Sequence, residues 1–269
     1  MPELPEVETT RRGIAPELAG STVSAILIRN GRLRHPIPAD LGDILAGQTL
    51  LAVERRAKYL LFRFATGSLL VHLGMSGSLR IVAADHPPEK HDHLDIVFGV
   101  RALRLRDPRR FGLVLWQAGD AEHPLLAGLG IEPLGEIFDG TWLHAASRGR
   151  RTPVKLFLMD AAHVVGIGNI YASESLFRAG IDPTKPVGEL GPRRCARLAT
   201  CIRETLQDAL AAGGSTLRDF VGSNGTPGYF QQQYFVYGRD GEACRKCGTP
   251  IRKRIMGQRA TFYCPRCQH

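Results

Sequence analysis

The chain has 269 residues, 43% of them hydrophobic, and its 35 Lys and Arg against 26 Asp and Glu give a formal net charge of +9. No apolar run approaches the ~18 residues of a membrane span and no secretory signal opens the sequence, so we expect a cytoplasmic protein without membrane partners. A basic balance of this size favours a polyanionic partner such as nucleic acid, although charge alone leaves a basic protein without such a partner as an alternative.

An amphipathic helix is predicted directly behind the N-terminus. Val7, Ile14 and Leu18 recur at helical spacing, and Pro5 suits the first turn of a helix. A proline inside a helix lacks the backbone donor and clashes with the preceding turn, so Pro16 is expected to end or kink this helix.

The residues ahead of this helix can carry chemistry. An initiator methionine before a small residue is usually removed, which would give Pro2 a free secondary amine. An α-amino group has a pKa of about 7.7–8.0, so part of it is neutral at pH 7 and can attack a sugar C1′. Glu3 beside it can act as a general acid. Proline and glutamate also begin helices well, and these two residues alone favour that structural interpretation.

Roughly residues 21 to 117 are predicted to form strands. The segment is rich in β-branched and apolar residues, and turn signals such as NG, ATGS and DP divide it. Antiparallel strands with short connections favour a sandwich or a barrel. Residues 120–152 are mixed in character and rich in Gly and Pro, so we interpret them as a linker with room for a short helix.

The pattern becomes helical after this linker. Two helical segments flank the turn GIGN, and a long helix is expected to end at Gly213 and Gly214. Asn169 is predicted to cap the helix behind the turn, where free N–H groups attract phosphate, although most such turns are plain connectors. Within the long helix, Cys195 and Cys201 lie about 600° apart around the axis, which predicts two buried free thiols.

Four cysteines near the C-terminus have the spacing of a zinc site. Cys244-x-x-Cys247 and Cys264-x-x-Cys267 are separated by 16 residues, which is typical of a two-knuckle zinc centre. Four protein ligands leave no open position, so we expect one structural zinc ion whose binding drives the folding of this short segment. From Cys244 onward the chain carries Lys and Arg but no Asp or Glu. This charge favours a phosphate-binding hairpin over a plain solvated face, which usually carries both signs.

A series of motifs spread along essentially the whole chain carries a family resemblance. They are MPELPEVETTRRGI, RRAKYLL, HLGMSGSLR, EKHDH, DPRRFG, LMD with VVGIGNIYASESLF, TLRDF, GTPGYF and QRATFYCPRC. On these motifs the chain resembles the bacterial formamidopyrimidine-DNA glycosylases. The resemblance implies an α+β protein with an N-terminal β-sandwich and leading helix at 1–130, a linker at 131–150, a helix–two-turns–helix domain at 151–237 and a four-cysteine zinc finger at 238–269.

The resemblance implies an enzyme of base excision repair. The family excises oxidised purines, chiefly 8-oxoguanine and formamidopyrimidines, from duplex DNA and cuts the abasic site by β,δ-elimination. It implies that Pro2 is the Schiff-base nucleophile and that Glu3 is the proton donor. Lys58 matches the proton donor for β-elimination, although without the family it is an ordinary lysine in a basic strand. Arg259 matches the donor for δ-elimination, and because arginine is a poor general acid we expect phosphate clamping to be part of its role.

The resemblance also implies which residues contact the DNA. DNA or phosphate contacts are expected from His72, His91, Arg109, Arg150 and Asn169, and the void left by the flipped base is expected to be filled by Met75, Arg109 and Phe111. Arg150 and Arg218 stand where relatives can have lysine, and the segment around Arg218 matches a loop that closes over the flipped base. His91 and His93 form an HxH pair, but no carboxylate or cysteine partners at clear spacing support a metal site there.

Two rival functions stay open from the sequence. The sister family that excises oxidised pyrimidines shares the Pro-Glu start and the zinc finger, but PELPEVE and the trio Met75, Arg109 and Phe111 favour the purine enzyme. A non-catalytic zinc protein that binds DNA is the other rival, and the joint presence of Pro2, Glu3 and Lys58 speaks against it. The expected partner is damaged double-stranded DNA. The expected state is a bacterial, cytoplasmic monomer that is nucleoid-associated when on DNA.

Overall fold

The computed structural model describes residues 1–214 and 234–269. The helices are α1 Leu4–Leu18, α2 Leu41–Leu45, α3 Pro124–Ala127, α4 Gly140–Ser147, α5 Val154–Met159, α6 Asn169–Ala179 and α7 Pro192–Ala211. The strands are β1 Ala25–Ile28, β2 Ala52–Arg56, β3 Tyr59–Phe64, β4 Gly67–His72, β5 Ser78–Ala83, β6 Asp92–Phe98, β7 Arg101–Arg106, β8 Leu113–Ala118, β9 Arg252–Met256 and β10 Arg259–Tyr263. No helix of these described residues is long and apolar enough to cross a membrane.

Two compact units divide the described residues. The first contains residues 1–127 with 212–214, and the second contains residues 128–211 with 234–269. Strands dominate the first unit and helices the second, which also holds the short hairpin β9–β10. The α+β class predicted from the sequence is confirmed, and the domain boundaries given above stay a prediction.

The first unit is a sandwich of two antiparallel sheets. Their strand orders are β1-β6-β7-β5 and β2-β3-β4-β8. Along β3, Leu60, Phe62 and Phe64 are buried in a core that both sheets share, as the period of two along a strand requires. Along β7, Leu103 and Leu105 enter the same core. The predicted strand-rich segment therefore buries one continuous apolar layer.

Helix α1 packs against β2, β3 and β5 through its apolar face. Val7, Ile14 and Leu18 belong to the sandwich core and are essentially inaccessible to solvent. The expectation that Pro16 ends or kinks this helix is wrong as to its end, because Pro16 lies inside α1, which continues to Leu18. Proline costs least where the helix is about to end, since few hydrogen bonds remain to be lost beyond it.

The second unit is a helical layer with α7 at its centre. Helices α4 and α6 both pack on α7, and α5 packs on α6. The predicted long helix is confirmed, because α7 runs from Pro192 to Ala211 and Gly213 and Gly214 follow it with positive φ. Cys195 and Cys201 are buried free thiols, as predicted.

The hairpin β9–β10 forms the scaffold of the cysteine cluster. A two-residue turn of Gly257 and Gln258, both with positive φ, joins the strands and brings Arg259 opposite Met256. This is the turn geometry that matches the twist of a two-stranded ribbon. Its inner side packs on α6, and its small core consists of Phe177, Val236, Ile251, Phe262, Cys244 and Cys264.

Candidate active site and metal centre

The N-terminus of the first unit is buried by the start of α1. Pro2 and Glu3 are both buried, and Glu3 is the N-cap of the helix. Its backbone N–H donates to Glu6 Oε2 at 2.8 Å, as part of a capping box formed by the two glutamates. The acidic start of the sequence thus fixes the chain terminus against the sandwich, where most termini fray.

The terminal amine lies in an environment that favours its neutral form. Burial lowers the pKa of the amine of Met1, Glu3 and Glu6 act in the opposite direction, and Lys58 and Arg109 lower it further. Desolvation and nearby cations both penalise the ammonium form, so a larger fraction of the amine carries a free lone pair at neutral pH. The fold brings Glu3, Lys58 and Arg109 into electrostatic reach of one nitrogen, although they are far apart in the sequence.

Lys58 is held in a tight turn next to His72. Ala57 and Lys58 connect β2 to β3, and Ala57 has a φ of +55°. Burial, then Lys58, then Arg34 lower the pKa of His72 to about 4. The backbone N–H of Gly74 donates to His72 Nδ1 at 3.0 Å, so this nitrogen is the acceptor of a neutral ring. The hydrogen of the neutral ring is then on Nε2.

Three side chains predicted to replace a flipped base project from two neighbouring turns. Met75 is 40% exposed and Phe111 is 46% exposed. Arg109 is also exposed, and its guanidinium carbon lies 5.3 Å from the ring centroid of Phe111. Phe111 is not a core residue, which agrees with its place just after a turn tip.

The two histidines of the HxH pair have different environments. His93 is buried and its Nε2 is hydrogen-bonded to the carbonyl oxygen of Asp107 at 2.8 Å. His91 is partly exposed, has a φ of +79°, and accepts from the backbone N–H of Asp107 through its own carbonyl. His91 is therefore partly accessible to solvent, whereas the buried ring of His93 is bonded to the main chain of Asp107.

In the second unit, Asn169 is positioned by a lysine that the sequence pattern did not single out. Lys155 is fully buried on α5, and its Nζ donates to Asn169 Oδ1 at 2.6 Å and to Thr261 Oγ1 at 2.7 Å. The amide nitrogen of Asn169 donates to the carbonyl of Ala260 at 2.9 Å. A lysine among the apolar residues VKLFL was the available signal, since buried lysines need several partners. Gly168, and not the predicted Asn169, is the N-cap of α6.

Arg150 lies on the surface of the second unit. It is exposed, its Nε donates to the carbonyl of Ala146, and its guanidinium carbon lies 5.8 Å from the ring centroid of Phe157. Arg259 is also exposed, at the start of β10 directly after the hairpin turn. The loop predicted around Arg218 lies outside the described residues.

The four C-terminal cysteines converge as the spacing predicted. The Sγ atoms of Cys244, Cys247, Cys264 and Cys267 all lie within 4.8 Å of one another, the only such ligand group in residues 1–214 and 234–269. A tetrahedral Zn–S₄ centre with bonds of about 2.3 Å requires sulfur atoms about 3.8 Å apart, and the Cys244–Cys267 and Cys247–Cys264 distances are 3.9 and 3.5 Å. The backbone N–H groups of Lys246 and Cys267 point at sulfur atoms. The residues fit a zinc ion.

The hairpin beside this cluster carries several exposed cations. Strand β9 exposes Arg252, Lys253 and Arg254 on its two faces, and Ile255 beside them is 65% exposed. Three adjacent exposed cations on a short hairpin are typical of a surface that contacts the phosphate backbone of a nucleic acid.

Comparison with known sequences agrees with this geometry. The model of the formamidopyrimidine-DNA glycosylase N-terminal domain matches residues 1–114, that of the formamidopyrimidine-DNA glycosylase H2TH domain matches residues 129–221, and that of the zinc finger found in FPG and IleRS matches residues 241–269. The chain is 66% identical to the formamidopyrimidine-DNA glycosylase of Aromatoleum aromaticum, over 100% of this chain and 99% of that protein. It is 60% identical to that of Bordetella avium, with 100% and 99% covered.

Solved structures give the same result. A complex between a variant of Lactococcus lactis FPG and Fapy-dG-containing DNA superposes with a TM-score of 0.93 at 35% identity, with 100% of both chains covered. MutM (FPG) from Thermus thermophilus superposes with a TM-score of 0.88 at 40% identity, with 99% of this chain and 98% of that chain covered. With three domain models along its length and relatives this similar from end to end, the chain belongs to the formamidopyrimidine-DNA glycosylase family.

Proposed function

We propose that the chain removes oxidised purines from duplex DNA through an amine at its N-terminus. It is a DNA glycosylase of base excision repair, and the family to which it belongs also cleaves abasic sites. The observation that supports the proposed nucleophile is the environment of the chain terminus. Burial lowers the pKa of the Met1 amine, Lys58 and Arg109 lower it further, and the adjacent Pro2 is buried. A structural helix start needs neither a buried amine nor two cations near it.

The first chemical steps follow from this amine. Removal of Met1 gives the nitrogen of Pro2, which attacks C1′ of the damaged nucleotide while the bond from C1′ to the base breaks. The base leaves with the electron pair and takes up a proton that Glu3 supplies. The sugar ring then opens at the C1′–O4′ bond, O4′ gains the proton that the amine loses, and an iminium joins Pro2 to C1′.

The strand is cut by two eliminations from this iminium. Loss of a proton from C2′ breaks the C3′–O bond, and Lys58 serves that departing phosphate as proton donor. Loss of a proton from C4′ then breaks the C5′–O bond in a second elimination, and Arg259 holds the departing phosphate at that step, because a guanidinium hardly gives up its proton. In this scheme the amine forms the bond to C1′, the acid assists the loss of the base, and each of the two cations assists the loss of one phosphate.

The remaining predicted residues bind the DNA. His72, His91, Arg150 and Asn169 contact the backbone, and Met75, Arg109 and Phe111 occupy the place of the extruded base. His72 suits phosphate as a neutral donor, since its Nδ1 already accepts from Gly74. Asn169 suits it as a side chain whose orientation is fixed by Lys155.

The cysteine cluster holds one zinc ion with a structural role. All four ligands of a tetrahedral ion are protein sulfur atoms, which leaves no coordination site for substrate. The metal keeps the hairpin and its cations in shape against the DNA backbone. We further propose that the chain acts as a monomer on damaged double-stranded DNA, in the cytoplasm and on the nucleoid.

Oxidised pyrimidines are the main alternative substrate class. The wild-type Lactococcus lactis FPG has been crystallised with DNA that contains an oxidised pyrimidine. The exposed trio Met75, Arg109 and Phe111 favours purines for this chain by the resemblance stated above. A side-by-side excision assay on an 8-oxoguanine duplex and an oxidised-pyrimidine duplex decides between the two, and faster excision of the pyrimidine would reverse the assignment.

Borohydride trapping tests the nucleophile. Reduction during turnover on an 8-oxoguanine duplex should give a covalent adduct that peptide mapping assigns to Pro2. A matched protein with one extra residue fixed ahead of Pro2 should give no adduct while still binding the duplex. An adduct on a lysine peptide, or full excision by the blocked protein, would refute the assignment of Pro2.

A further inference from the structure

Two turns of the first unit carry the three exposed side chains discussed above. The methionine turn is residues 73–77, and the arginine turn is residues 107–112. The two turns lie in different parts of the sequence, yet Met75, Arg109 and Phe111 have to enter a base stack together. Whatever fixes the two turns to each other therefore sets the spacing of the trio.

A buried carboxylate joins the turns. Asp107 is inaccessible to solvent, and its Oδ1 accepts from the hydroxyl of Ser76 at 2.7 Å. Its Oδ2 accepts from the backbone N–H of Gly112 at 2.8 Å. The Ser76 oxygen in turn accepts from the backbone N–H of Arg109 at 3.1 Å. One carboxylate and one hydroxyl thus fix both ends of the arginine turn to the methionine turn.

The main chains of the turns also touch. A Cβ added to Gly74 would lie 2.4 Å from the carbonyl carbon of Phe111, far inside contact distance. A Cβ added to Gly112 would lie 3.0 Å from Asp107 Oδ2 and 3.1 Å from the carbonyl oxygen of His72. The missing Cβ of Gly74 allows the two main chains to approach this closely, and the missing Cβ of Gly112 leaves room for the Asp107 carboxylate. Backbone contact and hydrogen bonds together make one rigid tip.

We propose that Asp107 and Ser76 are positioning residues for base extrusion. The bridge between them holds Met75, Arg109 and Phe111 at a fixed spacing, so that the trio enters the DNA as a single preformed wedge. This bridge affects the extrusion of the damaged base from the DNA stack and not the breaking of the bond at C1′. The inference rests on the proposed function, because it assigns the trio to the void left by the flipped base.

Ser76→Ala is the direct test, because it removes the shared hydroxyl and leaves Asp107 with its bond to Gly112. Single-turnover excision of 8-oxoguanine is measured on two duplexes, with the lesion opposite cytosine or opposite an abasic position. The variant should slow excision about tenfold or more opposite cytosine, where a complete stack has to be opened and an orphaned base held. Opposite the abasic position the loss should be less than about threefold, since no orphaned base is present there.

Ser68→Ala is the matched control. Ser68 is also buried in the first unit, and its hydroxyl accepts from Arg63 Nη1 at 2.8 Å, so the control loses a buried serine hydroxyl that is bonded to a charged side chain away from both turns. It should leave both rates unchanged. Equal losses on the two duplexes in Ser76→Ala would show a general structural effect and would overturn the proposal.

A double-mutant cycle provides the second measurement. If Ser76 acts through the trio, Ser76→Ala should have little further effect in an Arg109→Ala background, and Asp107→Asn should behave like Ser76→Ala if that variant folds. Additive losses would overturn the bridge as a positioning device. Failure of the unmodified protein to excise 8-oxoguanine from either duplex would instead overturn the proposed function, so the two failures are distinguishable.

Discussion

Two desolvated amines, one in each unit, show how the surroundings set the properties of the same chemical group. The terminal amine of the first unit is desolvated and has Lys58 and Arg109 near it, which lowers its pKa. The amine of Lys155 in the second unit is surrounded by three oxygen acceptors, from Asn169, Thr261 and Ala260. Burial and nearby cations favour the neutral form of the terminal amine, as the proposed nucleophile requires, whereas the amine of Lys155 donates to three oxygens and fixes the side chains around it.

The acid beside the first amine should give the largest effect. Glu3→Gln keeps the size of the side chain but removes the ionisable proton, so excision of 8-oxoguanine should fall by about 10²–10⁴-fold. Binding of the lesion duplex should be kept, and cleavage of a preformed abasic site should be reduced far less, because no base has to leave. Single-turnover excision, abasic-site cleavage and duplex affinity are the measurements.

Glu17→Gln is the control for that prediction. Glu17 lies on the same helix and pairs at the surface with Arg101, far along α1 from its start. Its replacement should leave all three measurements unchanged. Unaltered excision by Glu3→Gln would reject Glu3 as the proton donor and weaken the contrast between the two amines.

The two units are also expected to differ in their need for zinc, because the cysteine cluster lies in the second unit. Cys247→Ser removes one ligand, so bound zinc should fall from one ion per chain to nearly none, and duplex affinity should weaken by at least about tenfold as the cationic hairpin loses its shape. Cys201→Ala, at a buried thiol of α7, should keep the full zinc content. Normal affinity in the metal-free variant would contradict the assigned role of the hairpin.

How much the sequence could predict depends on how far apart the interacting residues are. The zinc cluster was predictable because each CxxC turn places two ligands by local geometry. The sandwich was predictable from alternation along the strands, and α7 from its period and its terminal glycines. The bridge from Asp107 to Ser76 joins residues 31 positions apart and the bond from Lys155 to Thr261 joins residues 106 apart, so no local pattern announces either.

Pro16 and Asn169 show the limit of local rules in the opposite direction. Proline is a helix breaker by its own chemistry, yet core packing of Ile14 and Leu18 carries α1 through Pro16. Asn169 is a good N-cap by its own chemistry, yet Lys155 and Ala260 use its amide, and Gly168 takes the cap. In both cases tertiary contacts outweigh a preference of about 1–3 kcal/mol.

Removal of the second amine should affect stability before it affects chemistry. Lys155→Met removes the lysine donor from Asn169 Oδ1 and Thr261 Oγ1 and leaves the carbonyl of Ala260 with its bond from Asn169, which should lower the free energy of unfolding by about 3 kcal/mol. Lys185→Met, at a partly exposed lysine of the same unit, should have little effect on stability. Denaturant unfolding of both variants is the measurement, and an unchanged midpoint for Lys155→Met would show that its bonds contribute nothing to folding.

The last prediction concerns the pH dependence of stability through His72. Burial and Lys58 lower the pKa of His72, as they lower that of the terminal amine. Burial and the cations Lys58 and Arg34 lower its pKa to about 4, against about 6.5 for an unfolded histidine. The folded state therefore binds fewer protons than the unfolded state between these values, so the contribution of His72 to stability is complete above pH 6.5. It is lost as the pH falls towards 4, and amounts to at most about 3 kcal/mol.

Two measurements check this prediction. The ring resonances of His72, assigned by comparison with His72→Asn, should titrate with a midpoint near pH 4. The free energy of unfolding should fall less steeply between pH 6.5 and pH 4 in that variant than in the unmodified protein. A midpoint above pH 6 would mean that the ring is charged near neutrality, and the bond from Gly74 N–H to Nδ1 could not then persist, because both ring nitrogens of a protonated histidine are donors. Such a result would move His72 from neutral donor to cation in its contact with phosphate, and would add a positive charge beside Lys58.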